Sequence, residues 1–133
     1  MFFNKKNNSY LINVGALLIH AAKIDQNYTS KEEEIIKQAL VDLGANNENL
    51  SLLIDNAKKV EKTSNQILDF TKVVKSMKDK EKIMIVETLW RIIYSNKDAD
   101  IYESNLMRRL CGLLYIESKI MGDIKEKIKK ENS

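Results

Sequence analysis

The stretch "LIHAAKIDQNYTSKEEEIIKQAL" (residues 18–40) reads as an apolar helix, a short polar turn and a second helix. Apolar residues precede Asp25 at steps of three and four, and three consecutive glutamates restart the pattern after the turn. That period is the signature of an amphipathic helix. A later stretch, "LWRIIYSNKDADIYESNLMRRLC" (residues 89–111), has the same order of features. At a shift of 71, Leu18 falls on Leu89, Asp25 on Asn96, Glu32 on Glu103, Ile36 on Met107 and Leu40 on Cys111. A shift of 70 after the turn instead sets Ser30 on Asp100 and Glu33 on Glu103, aligning two capping-box spacings. Both registers satisfy the sequence. Either one makes the chain two similar helix hairpins, one near each end, with other helices between them.

Composition agrees with a fully helical chain. The 133 residues are 44% hydrophobic and 31% charged, with 4 glycines and no proline. A disordered tail or a disulfide scaffold has a different balance, and a small all-β domain needs more turn residues. The expected architecture is a single all-α domain over residues 1–133, with about seven helices, a short N-terminal arm and a frayed C-terminal tail. The first helix is expected from about Asn8 to Ile24, and the second after Ser30, with Ser30 and Glu33 as its capping box and Gly44 just past its end. The third follows Asn46 or Asn47. The fourth covers "NQILDFTKVVKSM", capped by Thr63 or Ser64 and turning Phe70 and Val74 inward. The fifth, "KEKIMIVETLWRIIYS", is the most apolar and is placed centrally with the sixth, which starts near Asp100. The seventh is "SKIMGDIKEKIKK".

The net charge of +3 comes from 22 basic and 19 acidic residues interleaved along the chain. Nucleic-acid binders concentrate basic residues on one face, so no nucleic-acid partner is expected. Cys111 is the sole cysteine, which precludes an intramolecular disulfide, and its apolar setting predicts a packed thiol. The N-terminal "KKNNSYLINVGALLIHAA" has a signal-like outline, but Asn13 interrupts it and the segment fits the repeat as helix. No apolar run is long enough to span a membrane. These features predict a cytoplasmic protein with protein partners, and peripheral membrane contact through "MFF" and Lys5–Lys6 as the alternative.

The segments "LLIHAAKID…EEE" and "ETLWRIIYSNKDADIYESNLMRRLCGLL" together resemble the tellurite-resistance TerB-like family, over roughly residues 14–125. The second is the more specific, because Leu89-Trp90-Arg91 and Arg108-Arg109-Leu110 occur at the family's spacing. The resemblance implies an all-α domain of about seven helices whose two acidic turns approach each other. It also implies a bacterial stress context and a metal or ligand site at those turns. Related domains occur alone and fused to other modules, including membrane-anchored J-domain co-chaperones. The chain departs from the family pattern at both turns: Asp25 is followed by Gln26 rather than Gly, and Asn96, followed by Lys97, stands in place of the second Asp.

Hard cations require several convergent oxygen ligands. Asn96, Asp98 and Asp100 alternate like the start of an EF-hand loop, but Ile101 and Met107 occupy the positions where Gly and a bidentate Glu are required. The candidate metal ligands are therefore Asp25, Glu32, Asp100 and Glu103, drawn from both turns, with Asn96 and Asp98 as additional oxygens. Calcium, magnesium or manganese is the expected ion. The competing role for Glu32, Glu33 and Glu103 is helix capping, because all three lie in first turns. His20 is expected to be packed rather than catalytic, and Arg91, Arg108 and Arg109 to pair with the acidic turns. The expected function is a non-enzymatic binding or adaptor domain. The alternatives are a metal-free helical interaction module and, behind it, a metal-assisted hydrolase.

Overall fold

The computed structural model describes residues 2–23, 28–63, 70, 72, 74–95 and 101–131, and the side chains of these apart from 2–8 and 101–104. Six helices lie among the described residues: α1 (Phe2–Ala22), α2 (Ser30–Asp42), α3 (Leu50–Thr63), α4 (Asp79–Ser95), α5 (Ile101–Leu113) and α6 (Ser118–Glu131). A 3-10 turn at Asn47–Asn49 leads into α3, its first amide held by the Asn46 side chain, which accepts from Glu48 N at 3.1 Å. Most of the expected fourth helix lies outside the described residues, although Phe70 and Val74 are buried as anticipated. Thr63 is the last residue of α3 and donates back to the Lys59 carbonyl at 3.0 Å.

α1 begins at Phe2, earlier than the expected Asn8, and it has almost no polar face near its end. Val14, Ala16, Leu17, Leu18, Ile19, Ala21 and Ala22 are all buried. A helix apolar on every side must be enclosed. α1 packs against α2, α3 and α4, while α4 packs against α1, α2 and α6. The centre is thus formed by α1 and α4, the first helix of each half, rather than by α4 and α5. Gly15 makes the tightest of these crossings possible. A Cβ there would stand 3.0 Å from Ala57 Cβ on α3 and 3.6 Å from Leu40 Cδ1 on α2.

The structure settles the register of the repeat at 71. α2 and α5 each span 13 residues, and their first residues, Ser30 and Ile101, are that far apart. Both helices end in the same motif. Gly44 N donates to Val41 O at 3.0 Å and Ala45 N to Leu40 O at 2.8 Å. Tyr115 N donates to Gly112 O at 3.3 Å and Ile116 N to Cys111 O at 3.0 Å. This is the Schellman pattern, which places its C′ residue at positive φ. Gly44 has φ 116° and Tyr115 has φ 57°. The repeat also extends into the third helix, where buried Leu53 and Ala57 correspond to buried Ile124 and Ile128.

The start of α2 corrects the expected cap by one residue. Thr29, with φ −89° and ψ 163°, is the N-cap, and Glu32 rather than Glu33 completes the capping box. The two pairs have identical spacing, so local chemistry does not choose between them. Tertiary contact does: with Glu32 folded back on Thr29, Glu33 is free to reach α3. Between the halves, Tyr10 donates to Glu81 Oε2 at 3.4 Å, and burial together with that carboxylate holds the phenol's pKa above its ordinary value.

The Gly15 crossing generates a prediction. Gly15→Ala lowers stability by about 1–3 kcal/mol in chemical denaturation, because Ala57 is a short side chain with no rotamer to yield. Combining it with Ala57→Gly recovers part of that loss. A stability equal to wild type for Gly15→Ala alone would mean that α1 and α3 do not approach this closely.

Candidate functional site

Of the six candidate ligands, only Glu32 has a described side chain. Asp25, Asn96, Asp98 and Asp100 lie outside the described residues, and Glu103 is placed by its backbone alone, as the third residue of α5. The 71-residue register makes Glu103 the counterpart of Glu32 and Asp100 the counterpart of the N-cap Thr29.

Glu32 is 1% exposed. Its Oε1 accepts from Thr29 N at 2.8 Å and from Thr29 Oγ1 at 3.1 Å, while Thr29 Oγ1 accepts from Glu32 N at 3.1 Å. The two residues thereby satisfy amides that a helix start leaves without partners, and the carboxylate sits at the positive end of the helix dipole. Among the described residues, no three His, Cys, Asp or Glu side chains converge as a metal-binding group.

The neighbouring glutamate ties the turn to the body of the fold. Glu33 Oε1 lies 2.8 Å from Lys58 Nζ on α3 and accepts from the Tyr28 hydroxyl at 3.2 Å. The same ammonium stands 5.8 Å from the centre of the Tyr28 ring, and Lys37 approaches Glu33 Oε2 at 3.7 Å. The hydrogen bond from Lys58 draws the Glu33 pKa below its usual value, outweighing the opposing effect of burial. Burial, followed by the charge of Glu33, raises that of Tyr28. Sequence reading missed Tyr28 and Lys58. A lysine on another helix carries no local signal, and a tyrosine beside a cap reads as a turn residue.

The remaining candidates act as ties between helices. His20 Nδ1 is 3.3 Å from Glu61 Oε2, Lys23 Nζ is 2.8 Å from Glu61 Oε1, and the His20 ring tilts against Phe70 at 5.9 Å between centroids. His20 is thus part-buried and joins α1 to α3. Among the described residues, Arg91 pairs with the C-terminal helix. Its Nε and Nη2 donate to the two oxygens of Glu131, each at 3.2 Å, and so join α4 to α6. Lys127 and Glu87 make a second contact between the same helices. Cys111 is buried, and its thiol donates to the Ile116 carbonyl at the end of α5.

The Glu33 contact predicts an acid dependence. A carboxylate whose folded pKa is depressed contributes stability that is complete above its unfolded value of 4.5 and is lost as pH falls through the lower folded value. Lys58→Met should therefore destabilise the protein at neutral pH and flatten the loss of stability below that value. Denaturant midpoints measured across acidic pH read this directly. Parallel wild-type and variant curves would remove Glu33–Lys58 from the account of acid stability.

The family comparison agrees with this architecture. A family model described as tellurite resistance protein TerB matches residues 11–126. No curated protein and no solved structure matches the chain. The match covers most of the sequence, including both helix–turn–helix segments and the helices that pack on them, and the chain belongs to the TerB family.

Proposed function

We propose that this chain is a non-enzymatic binding domain in which a divalent cation, held between the two acidic turns, sets the relation of one half to the other. The observation that carries the reading is the strict repetition of the hairpin. The described cap uses Thr29 and Glu32, and the register assigns Asp100 and Glu103 the same task in α5. Asp25 and Asp98 stand outside those pairs in the sequence. With Asp100 and the Asn96 amide they supply oxygens suited to calcium, magnesium or manganese. Glu32 and Glu103 then act as caps that hold the turns in shape and contribute charge from N3. A bound cation would neutralise the carboxylates it holds and fix the angle between the hairpins. The Tyr28–Glu33–Lys58 contact would relay that constraint to α3, whose outer face is available to a protein partner. In keeping with the family, the setting proposed is a bacterial stress response in the cytoplasm.

A metal-free interaction module is the second reading, and the capping bonds between Glu32 and Thr29 favour it. Calorimetric titration with calcium, magnesium, manganese and zinc separates the two. The cation reading expects saturable binding by the wild type and its loss in Asp25→Asn/Asp100→Asn. Asn caps a helix about as well as Asp, so that loss would not come from a failed cap. Glu32→Gln retains the capping geometry and should leave affinity nearly unchanged. No heat of binding at millimolar cation would leave the metal-free module.

A further inference from the structure

A second site lies in the other half of the molecule, between α4, α5 and α6. A cavity of about 470 Å³ opens there, walled by Trp90, Met107 and Met121, with Arg108 and Lys125 among its lining and no carboxylate among the described residues that line it. Its size is that of a small-molecule pocket. Two glycines shape it, Gly112 on α5 and Gly122 on α6. A Cβ at either would meet nothing within 4 Å, and neither has a positive φ. Glycine inside a helix is unfavourable, and at Gly122 no turn or close crossing accounts for it, while Gly112 lies in the last turn of α5. What the two glycines provide is open space.

The repeat supplies an internal comparison. The counterparts of Trp90, Cys111 and Lys125 are Ile19, Leu40 and Ile54, which are 1%, 0% and 2% exposed. Val41 stands where the second half has Gly112. In the first half these positions are filled by aliphatic side chains. In the second they carry a cation, a thiol, an indole and a glycine. Trp90 is 3% exposed, and its Nε1–H is buried without an acceptor. Buried donors are ordinarily satisfied, by protein, water or ligand. Lys125 Nζ stands over the indole, 5.4 Å from its centre.

We propose that the pocket binds a small organic carboxylate with an apolar body. The body lies between Met107, Met121 and the surfaces left bare by Gly112 and Gly122. The carboxylate is held by Arg108 and by Lys125, which moves off the indole to meet it. One carboxylate oxygen then accepts from Trp90 Nε1–H. Cation and neighbouring donor together suit an anion, and the methionines adapt to its chain. The site is independent of the acidic turns and stands whether or not they bind a cation.

Trp90 is the only tryptophan in the chain, so its emission and its indole N–H resonance report on this pocket alone. The probe is octanoate, with octan-1-ol as its uncharged counterpart. Octanoate should change Trp90 emission saturably and shift the indole N–H resonance downfield, with octan-1-ol about tenfold weaker. Arg108→Gln and Lys125→Gln should each weaken octanoate by about tenfold as well. Gly122→Leu should abolish binding while its thermal midpoint holds or rises, since leucine is the better helix former and has room. If that variant fails to fold, Gly112→Leu makes the same test from α5. Absence of a saturable change at millimolar octanoate overturns the proposal. So does equal binding of octan-1-ol, or binding that persists in a folded Gly122→Leu protein.

Discussion

A helix with no polar face has to be surrounded, and the enclosure of α1 organises this molecule. From Val14 to Ala22 nearly every side chain is buried, so neighbours are needed on all sides. α3 comes in across Gly15, where the absence of a Cβ lets Ala57 make contact, and α2 and α4 close the remaining sides. Each neighbour is then fixed again by a polar tie placed outside the apolar contact. His20 and Lys23 hold Glu61 on α3, and Lys58 of α3 holds Glu33 on α2. Such half-exposed ion pairs contribute little by themselves. Their effect here is to fix angles between helices that burial already holds together.

The two copies of the three-helix unit satisfy the same plan with different side chains. The counterparts of Gly15 and Ala57 are Val86 and Ile128, both buried. With larger residues at that crossing, α4 and α6 pack together less extensively than α1 and α3. α4 is also less uniformly apolar. Thr88 replaces Leu17 and donates to the Met84 carbonyl at 2.9 Å, and buried Lys82 replaces Leu11. The first unit resembles a closed core. In the second, a cavity is left beside Trp90.

Much of this fold was legible in the sequence, for reasons that can be named. Helices follow from the period of apolar residues with no proline to interrupt it, and the doubling follows from two acidic turns at similar distances from an apolar helix. Gly44 marks the end of α2 because glycine at positive φ is a strong local signal. Its counterpart Tyr115 gives no such signal, since an aromatic residue in that conformation is rare, and the register stayed open between two values as a result. Thr29–Glu32 and Ser30–Glu33 were equally good caps on spacing. Only the contact of Glu33 with Lys58 distinguishes them, and that depends on a helix with no sequence proximity. The pocket beside Trp90 was illegible for a further reason. Tryptophan and methionine at helical spacing read as core, and a cavity is defined by what is missing. The usable clue was Gly122, a helix-interior glycine without a turn.

The divergence of the copies follows from the way a duplicated fold is stabilised. One well-packed unit can hold the shared core, leaving the other free to carry features that a lone domain would tolerate less readily. The departures gather in the second unit. Tyr115 takes a left-handed conformation where the first copy has glycine, and Lys82 is 7% exposed. Lys82 and Lys75 stand 6.0 and 5.8 Å from the Tyr115 ring, so the strained residue is also the one that faces two cations. Trp90 keeps a buried donor without an acceptor in the same unit. Strain and unsatisfied polarity persist only where surrounding structure holds them in place, and they concentrate where a protein does its work. On this argument the first unit supplies the frame, and the second, with its cavity and basic lining, is where the proposed ligand chemistry has room to act.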